Sequence, residues 1–435
     1  MKNELALMGG HPIRNKPFTS WPIFGKKEKQ LLLEVLNSGN WSFDGPKEKE
    51  FSKCFANFCD AKYAICVSNG TVSLEIALRA LGIGIGDEVI VPALTWTATA
   101  WAVLQVGATP VFADVNQKDW CIDPDSIKKR ITRRTKAIIP VHLYNQVAEM
   151  DKILKIAKKH SLKVIEDCAH MHGSQWKNKG IGTLGDVGSF SFQQSKVMTS
   201  GEGGALITNN EGLAKKIYSL KNCGRPLKEG INEGIGGNYR VTEFQAAILI
   251  AQLERLEKQL KKKIENVKLF KEKIKEIPGI KILNSNSKIT RQGMYALTLN
   301  YNKKEFCNIP RKILIDALHA EGIPAIFPYP VVYQSPLWKS GKKLLKFRKD
   351  ESSVRKLGLN SKCPVAERIS NQEGLIIYHN VFLGSQIDIQ DLVAGFRKLY
   401  QNSSELRHHL FFSIKRKIQN SKINYFNNLL NINKR

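Results

Sequence analysis

Between Cys54 and Leu220 short apolar, β-rich runs alternate with stretches that are apolar at three- and four-residue spacing, and this alternation limits the fold more than any other feature. The runs are 89–91 (ending at Pro92), 109–115, 137–143, 163–167, 189–192 and 205–208. The stretches between them, 71–81, 98–106, 150–160 and 213–220, read as helices. Strands separated by helices cross over to parallel neighbours. The pattern therefore predicts an α/β fold, with a large, mostly parallel sheet covered by helices on both faces. Ligands of such sheets sit beyond the carboxyl ends of the strands.

Residues 1–241 form the predicted large domain. Residues 242–277 read as one linking helix, apolar and buried in its first half, Lys/Glu-rich and exposed in its second, with Pro278-Gly279 stopping it. Strand signals at 294–299 and 374–378 and helical ones at 311–321 and 389–399 make residues 278–400 a smaller C-terminal α+β domain. From 401 to 435 the composition shifts to Asn, Lys and Ser, which reads as a basic tail.

No apolar run approaches the roughly 18 residues that span a bilayer, and the first 20 residues lack the apolar core of a signal peptide. The eight cysteines are scattered, with no C-x-x-C pair and no metal-ligand spacing. They read as free thiols of a cytoplasmic protein. The formal net charge of +28 raises a nucleic-acid-binding regulator as a rival function. No basic helix-turn-helix pattern stands out, and compositional drift with an anionic substrate accounts for the charge as well as DNA does.

The chemistry concentrates around Lys196. It follows the apolar run Ser189-Phe190-Ser191-Phe192 and precedes Gly201-Glu202-Gly203-Gly204. A lysine desolvated in such a place can lose its proton and form a Schiff base with an aldehyde. Asp167 ends an earlier strand, where a carboxylate can keep a pyridinium nitrogen protonated and make the ring an electron sink. Ser68-Asn69-Gly70-Thr71 opens a helix after a strand, a natural seat for phosphate, and Ser191 can add a hydroxyl to it. Trp96 can lay its face on a pyridine ring, and His170 can touch the ring face or its 3-hydroxyl.

With these motifs stand Pro140-Val141-His142-Leu143-Tyr144, Glu166-Asp167-Cys168-Ala169-His170 and Gly237-Asn238-Tyr239-Arg240. In this order they resemble the DegT/DnrJ/EryC1/StrS family of aminotransferases. The resemblance implies the fold-type I architecture, the cofactor pyridoxal 5'-phosphate, and a homodimer with active sites at the subunit interface. It makes Lys196 the Schiff-base lysine and Asp167 the pyridinium partner. Trp96 becomes the stacking aromatic, and Gly70, Thr71 and Ser191 become phosphate contacts. Asn238 becomes a phosphate contact given to the other subunit. Finer features, among them 192–200, Asn222-Cys223-Gly224-Arg225 and Tyr378-His379-Asn380, are similar to scyllo-inosose aminotransferases and 3-amino-5-hydroxybenzoate synthases. This branch implies glutamine or glutamate as donor and a keto-cyclitol or keto-sugar as acceptor. Nucleotide-sugar aminotransferase and 3-amino-5-hydroxybenzoate synthase are the alternatives. Arg225, Arg240 and His379 are the candidates for holding donor or acceptor.

Overall fold

The computed structural model describes residues 4–42, 44–226, 235–338 and 362–409. The main sheet contains β1 (Tyr63–Val67), β2 (Glu88–Pro92), β3 (Thr109–Ala113), β4 (Thr135–Ile138) and β5 (Lys163–Asp167). A small ribbon of β6 (Gln175–Trp176) and β7 (Lys179–Gly180) comes next in the chain, and β8 (Val187–Ser191) and β9 (Gly204–Thr208) complete the sheet. Its order is β1-β9-β8-β5-β4-β2-β3, and every neighbouring pair is parallel except the two that involve β9. All five residues of β2, β8 and β9 are buried, so both faces are covered, as the near-continuous apolar runs require.

Two runs end earlier than their apolar pattern predicts. The run at 137–143 stops pairing as a strand at Ile138, because Pro140 has no N–H for the ladder. Its carbonyl instead accepts the Asp167 N–H at 2.9 Å, and Val141 bridges Asp167. The run at 109–115 ends at Ala113, and Val115 pairs with Ile122 in an isolated bridge.

The linking helix runs from Glu243 to Ile274, with Thr242 and Gln245 forming a capping box. Its second half is not the exposed surface that its lysines and glutamates predict. Leu256, Leu260, Lys263, Asn266, Phe270 and Ile274 are all buried. They recur every three or four residues, so the charges take one face and this stripe takes another. Against the stripe packs the C-terminal unit: Phe270 meets Phe382 at 6.0 Å, and Asn266 donates to the carbonyls of Phe382 and Gly384.

That unit has an antiparallel sheet of β10 (Ile280–Ile282), β12 (Ala296–Tyr301), β13 (Ala325–Ile326) and β14 (Gly374–Tyr378), in the order β10-β12-β14-β13. Helices Arg311–Ala320 and Gln386–Gln401 cover it, and a separate strand, β11 (Ile289–Arg291), pairs with β6 of the large unit. A division at residue 241 misplaces the N-terminus, since Leu5 joins the second hydrophobic core. The buried Glu321 carboxylate accepts from Ala6 N–H at 2.7 Å, Ile13 N–H at 3.0 Å and Lys398 Nζ at 2.9 Å, tying the N-terminal segment to the helix Gln386–Gln401. Residues 403–409 are helical and Leu406 is buried, so the segment expected as tail begins inside this core. Residues 410–435 lie outside the described residues.

Candidate active site

A cavity of about 740 Å³ opens at the carboxyl ends of the central strands. Seven of the predicted residues line it: Gly70, Thr71, Trp96, Asp167, His170, Ser191 and Lys196. Asp167 ends β5, and its backbone is fixed on both sides, by Pro140 and by the His142 N–H at 3.0 Å. Strand alternation sends Asp167 to the cavity and Glu166 to the opposite face. Glu166 accepts from the N–H groups of Gly182, Leu184 and Gly185 and from His142 Nε2 at 3.1 Å. His142 Nδ1 already accepts from Ala148 N–H, so its Nε2 carries the proton. The buried group of His142, Glu166 and Cys168 thus has ligand-like spacing, but the imidazole lone pair is already used.

The Asp167 carboxylate accepts from Thr99 Oγ1 at 2.9 Å and from Ala169 N–H at 3.2 Å. Burial raises its pKa; those two donors and Lys196 oppose the rise. Thr99 spends its proton on Asp167, so Thr95 Oγ1, 3.1 Å away, donates to Thr99. Lys196 is affected the other way. Burial lowers its amine to about 8, and the nearby Asp167 carboxylate limits the fall. Its Nζ lies 4.7 Å from the Tyr295 ring centroid.

Helix Gly70–Ala80 begins at this cavity, with Asn69 Oδ1 capping Val72 N–H at 2.9 Å. The cap leaves the first-turn N–H groups of Gly70 and Thr71 as donors for a ligand. A Cβ at Gly70 would stand 2.6 Å from Ser191 Cβ, and one at Gly204 would stand 2.6 Å from the Asn69 carbonyl carbon. The two glycines therefore let the helix start, β8 and β9 close on one point. These features fit a phosphate seat, and the Lys196–Asp167 pair fits a pyridine aldehyde.

His170 Nδ1 accepts from Tyr144 N–H at 3.1 Å, and its Nε2 lies 3.3 Å from Tyr329 Oη. Burial holds it neutral, well below the usual histidine range. Its ring stacks on Tyr295 at 4.0 Å. Trp96 is half exposed at the cavity wall, 5.6 Å from the Tyr329 ring.

The other four candidates do not line this cavity. Asn238 is exposed and bridges Asn222; Arg225 is exposed; Arg240 donates to Asn222 Oδ1 at 3.0 Å. His379 is buried, and its Nε2 meets the Ser195 carbonyl at 3.2 Å, so it contacts the backbone before Lys196 rather than the cavity. Tyr295, Tyr329, Tyr378, Thr99 and Gln193 also line the wall, although no sequence motif singles them out for that role. Thr99 follows Trp96 closely, a signal within reach. The three tyrosines come from the C-terminal unit, and only its docking brings them to the cavity.

The sequence profile of the DegT/DnrJ/EryC1/StrS aminotransferase family matches residues 22–357. The chain belongs to this family. A member from Streptoalloteichus tenebrarius, provisionally named L-glutamine:3-amino-2,3-dideoxy-scyllo-inosose aminotransferase, is 37% identical over 94% of this chain and 100% of its own. The L-glutamine:2-deoxy-scyllo-inosose aminotransferase of Micromonospora echinospora is 36% identical over 93% of this chain and 99% of its own. Among solved structures of the family fold, 3-amino-5-hydroxybenzoic acid synthase is similar with a TM-score of 0.78 and 29% identity, covering 89% of this chain and 99% of its own. The enzyme is an aminotransferase with the α/β architecture its alternating pattern predicts, and no described helix is long and apolar enough to cross a membrane.

Proposed function

We propose that this aminotransferase uses pyridoxal 5'-phosphate to move the amino group of L-glutamine to the ketone of a cyclitol of the scyllo-inosose class. The carrying observation is that Lys196 and Asp167 share one cavity with a glycine-closed helix start. In this reading Gly70, Thr71 and Ser191 hold the phosphate, Asp167 meets the ring nitrogen, and Trp96 and His170 flank the ring. Bound there, the cofactor supplies an aldehyde carbon and an electron sink. Lys196 attaches it and then, as a free amine, takes the proton from the donor's α-carbon. An amine near 8 is partly neutral at physiological pH, as that role requires. Neutral His170 adds no second cation beside it. The acceptor's ketone leaves as an amine and glutamine leaves as its keto acid. The names of the relatives support glutamine and the cyclitol.

A homodimer belongs to the same reading. Next to Thr199 and Gly201 lies a groove of about 880 Å³ lined by Phe24, Leu33, Leu36 and Phe244, with Phe24 76% exposed. Contiguous apolar surface of this kind favours a partner, and the family resemblance gives a second copy's Asn238 the role of a phosphate contact.

The first test is a spectrum. The purified protein should carry a yellow absorbance that Lys196→Ala abolishes; a colourless wild type defeats the proposal. The second compares keto-acid release from glutamine with scyllo-inosose and with a nucleotide-linked keto-sugar. Turnover of only the latter overturns the cyclitol assignment.

A further inference from the structure

Lys263 has none of its surface exposed, and its Nζ has no hydrogen-bond partner. A buried ammonium without a partner loses its hydration and recovers little, so such a residue is a burden unless it does something. Burial lowers the amine to about 7. The Nζ lies 5.6 Å from the ring centroid of Trp21. Trp21 meets His379 edge to face, with centroids 4.5 Å apart at 84°.

Each ring holds one backbone carbonyl. Trp21 Nε1 donates to Gln194 O at 3.0 Å, and His379 Nε2 donates to Ser195 O at 3.2 Å. These are the two peptide carbonyls immediately before Lys196. The turn they belong to is tied internally as well: Lys196 N–H donates to Gln193 O at 2.8 Å, and Ser195 N–H and Oγ both donate to Gln193 Oε1. Moving either carbonyl would therefore move the lysine's Cα.

His379 makes its bond only as the tautomer protonated at Nε2, which leaves Nδ1 bare, buried and unpartnered. Burial holds the ring neutral, well below the usual histidine range. We propose that Trp21 and His379 are positioning residues for Lys196: the two rings fix the Gln194 and Ser195 carbonyls, with Lys263 packed against the Trp21 ring behind them. This rests on the reading of Lys196 as the cofactor-binding lysine.

The test uses full-length holoenzyme and follows kcat, KM, melting temperature and the pH titration of the bound cofactor's absorbance. His379→Leu should lower kcat about tenfold, the scale of one backbone hydrogen bond, with KM within about twofold and a displaced titration midpoint. His379→Gln keeps an N–H donor and should recover most of both. Trp21→Phe removes the indole N–H and should also lower kcat about tenfold and move the titration in the same direction as His379→Leu, whereas Lys263→Met should raise the melting temperature, because a buried unpaired amine is removed. If His379→Leu does not fold, Trp21→Phe carries the test. A Trp21→Phe enzyme that is fully active and unshifted in its titration overturns the role of the Trp21 bond. Equal losses in the leucine and glutamine variants overturn the role of the bond. Failure of the underlying reading is separate, because it shows as an absorbance that survives Lys196→Ala.

Discussion

Thr99→Val separates a carboxylate held for catalysis from one merely buried. The side chain is 1% exposed, so valine keeps the shape and removes only the hydroxyl. Asp167 then loses its 2.9 Å donor and keeps Ala169 N–H alone. A hydrogen bond to a charged group contributes about 1.5–3 kcal/mol. If that support for the ionised carboxylate is carried into the transition state, kcat should fall about 10- to 100-fold, at about 1.36 kcal/mol per tenfold. Thr95→Val removes a neutral bond one step further out, about 0.5–1.5 kcal/mol, so a smaller loss of about two- to tenfold is expected. Thr99→Ser restores the hydroxyl and should restore most of the rate. The assay is keto-acid release at saturating glutamine and acceptor, with the bound-cofactor spectrum recorded on each sample. A Thr99→Val enzyme within about twofold of wild type would refute the argument. So would a Thr95→Val loss larger than that of Thr99→Val.

Asp167→Asn removes the charge that raises the Lys196 pKa against burial, so the amine should titrate at lower pH than its present value of about 8. The pH dependence of Lys196 acetylation in cofactor-free protein, read by mass spectrometry, checks this; an unchanged or higher midpoint counts against it. Gly70→Ala places a Cβ 2.6 Å from Ser191 Cβ, an overpacking that costs about 1–3 kcal/mol and spreads the phosphate seat. Its melting temperature should drop and its cofactor Kd rise at least about tenfold, as spectral titration would measure.

Gly70, Asp167, Ser191 and Lys196 are legible in the sequence because each lies at or near a strand end or helix start, and a parallel sheet gathers such ends on one edge. Their chemistry can be read from a few neighbours along the chain. The wall formed by Tyr295, Tyr329 and Tyr378 cannot, since it depends on how a second unit docks. The same docking hides Lys263, which looks like one more solvated lysine until the helical stripe it shares with Leu260 and Asn266 is covered. For His379 the sequence points to a substrate contact, whereas the fold aims its Nε2 at the Ser195 carbonyl. Its neighbours in the chain mark it as unusual without saying which way the ring faces.

Glu321 has a consequence for how the chain is made. Its carboxylate binds the backbone at Ala6 and Ile13, and it is itself paired with Lys398. The segment around Ala6 and Ile13 therefore has no finished dock until almost the whole described chain has been made. Trp21 travels with that segment, and it grips the carbonyl of Gln194, two residues from Lys196. The large sheet can form while synthesis continues, but Trp21 can settle between Gln194 and the His379 ring only after His379, late in the described chain, has been made.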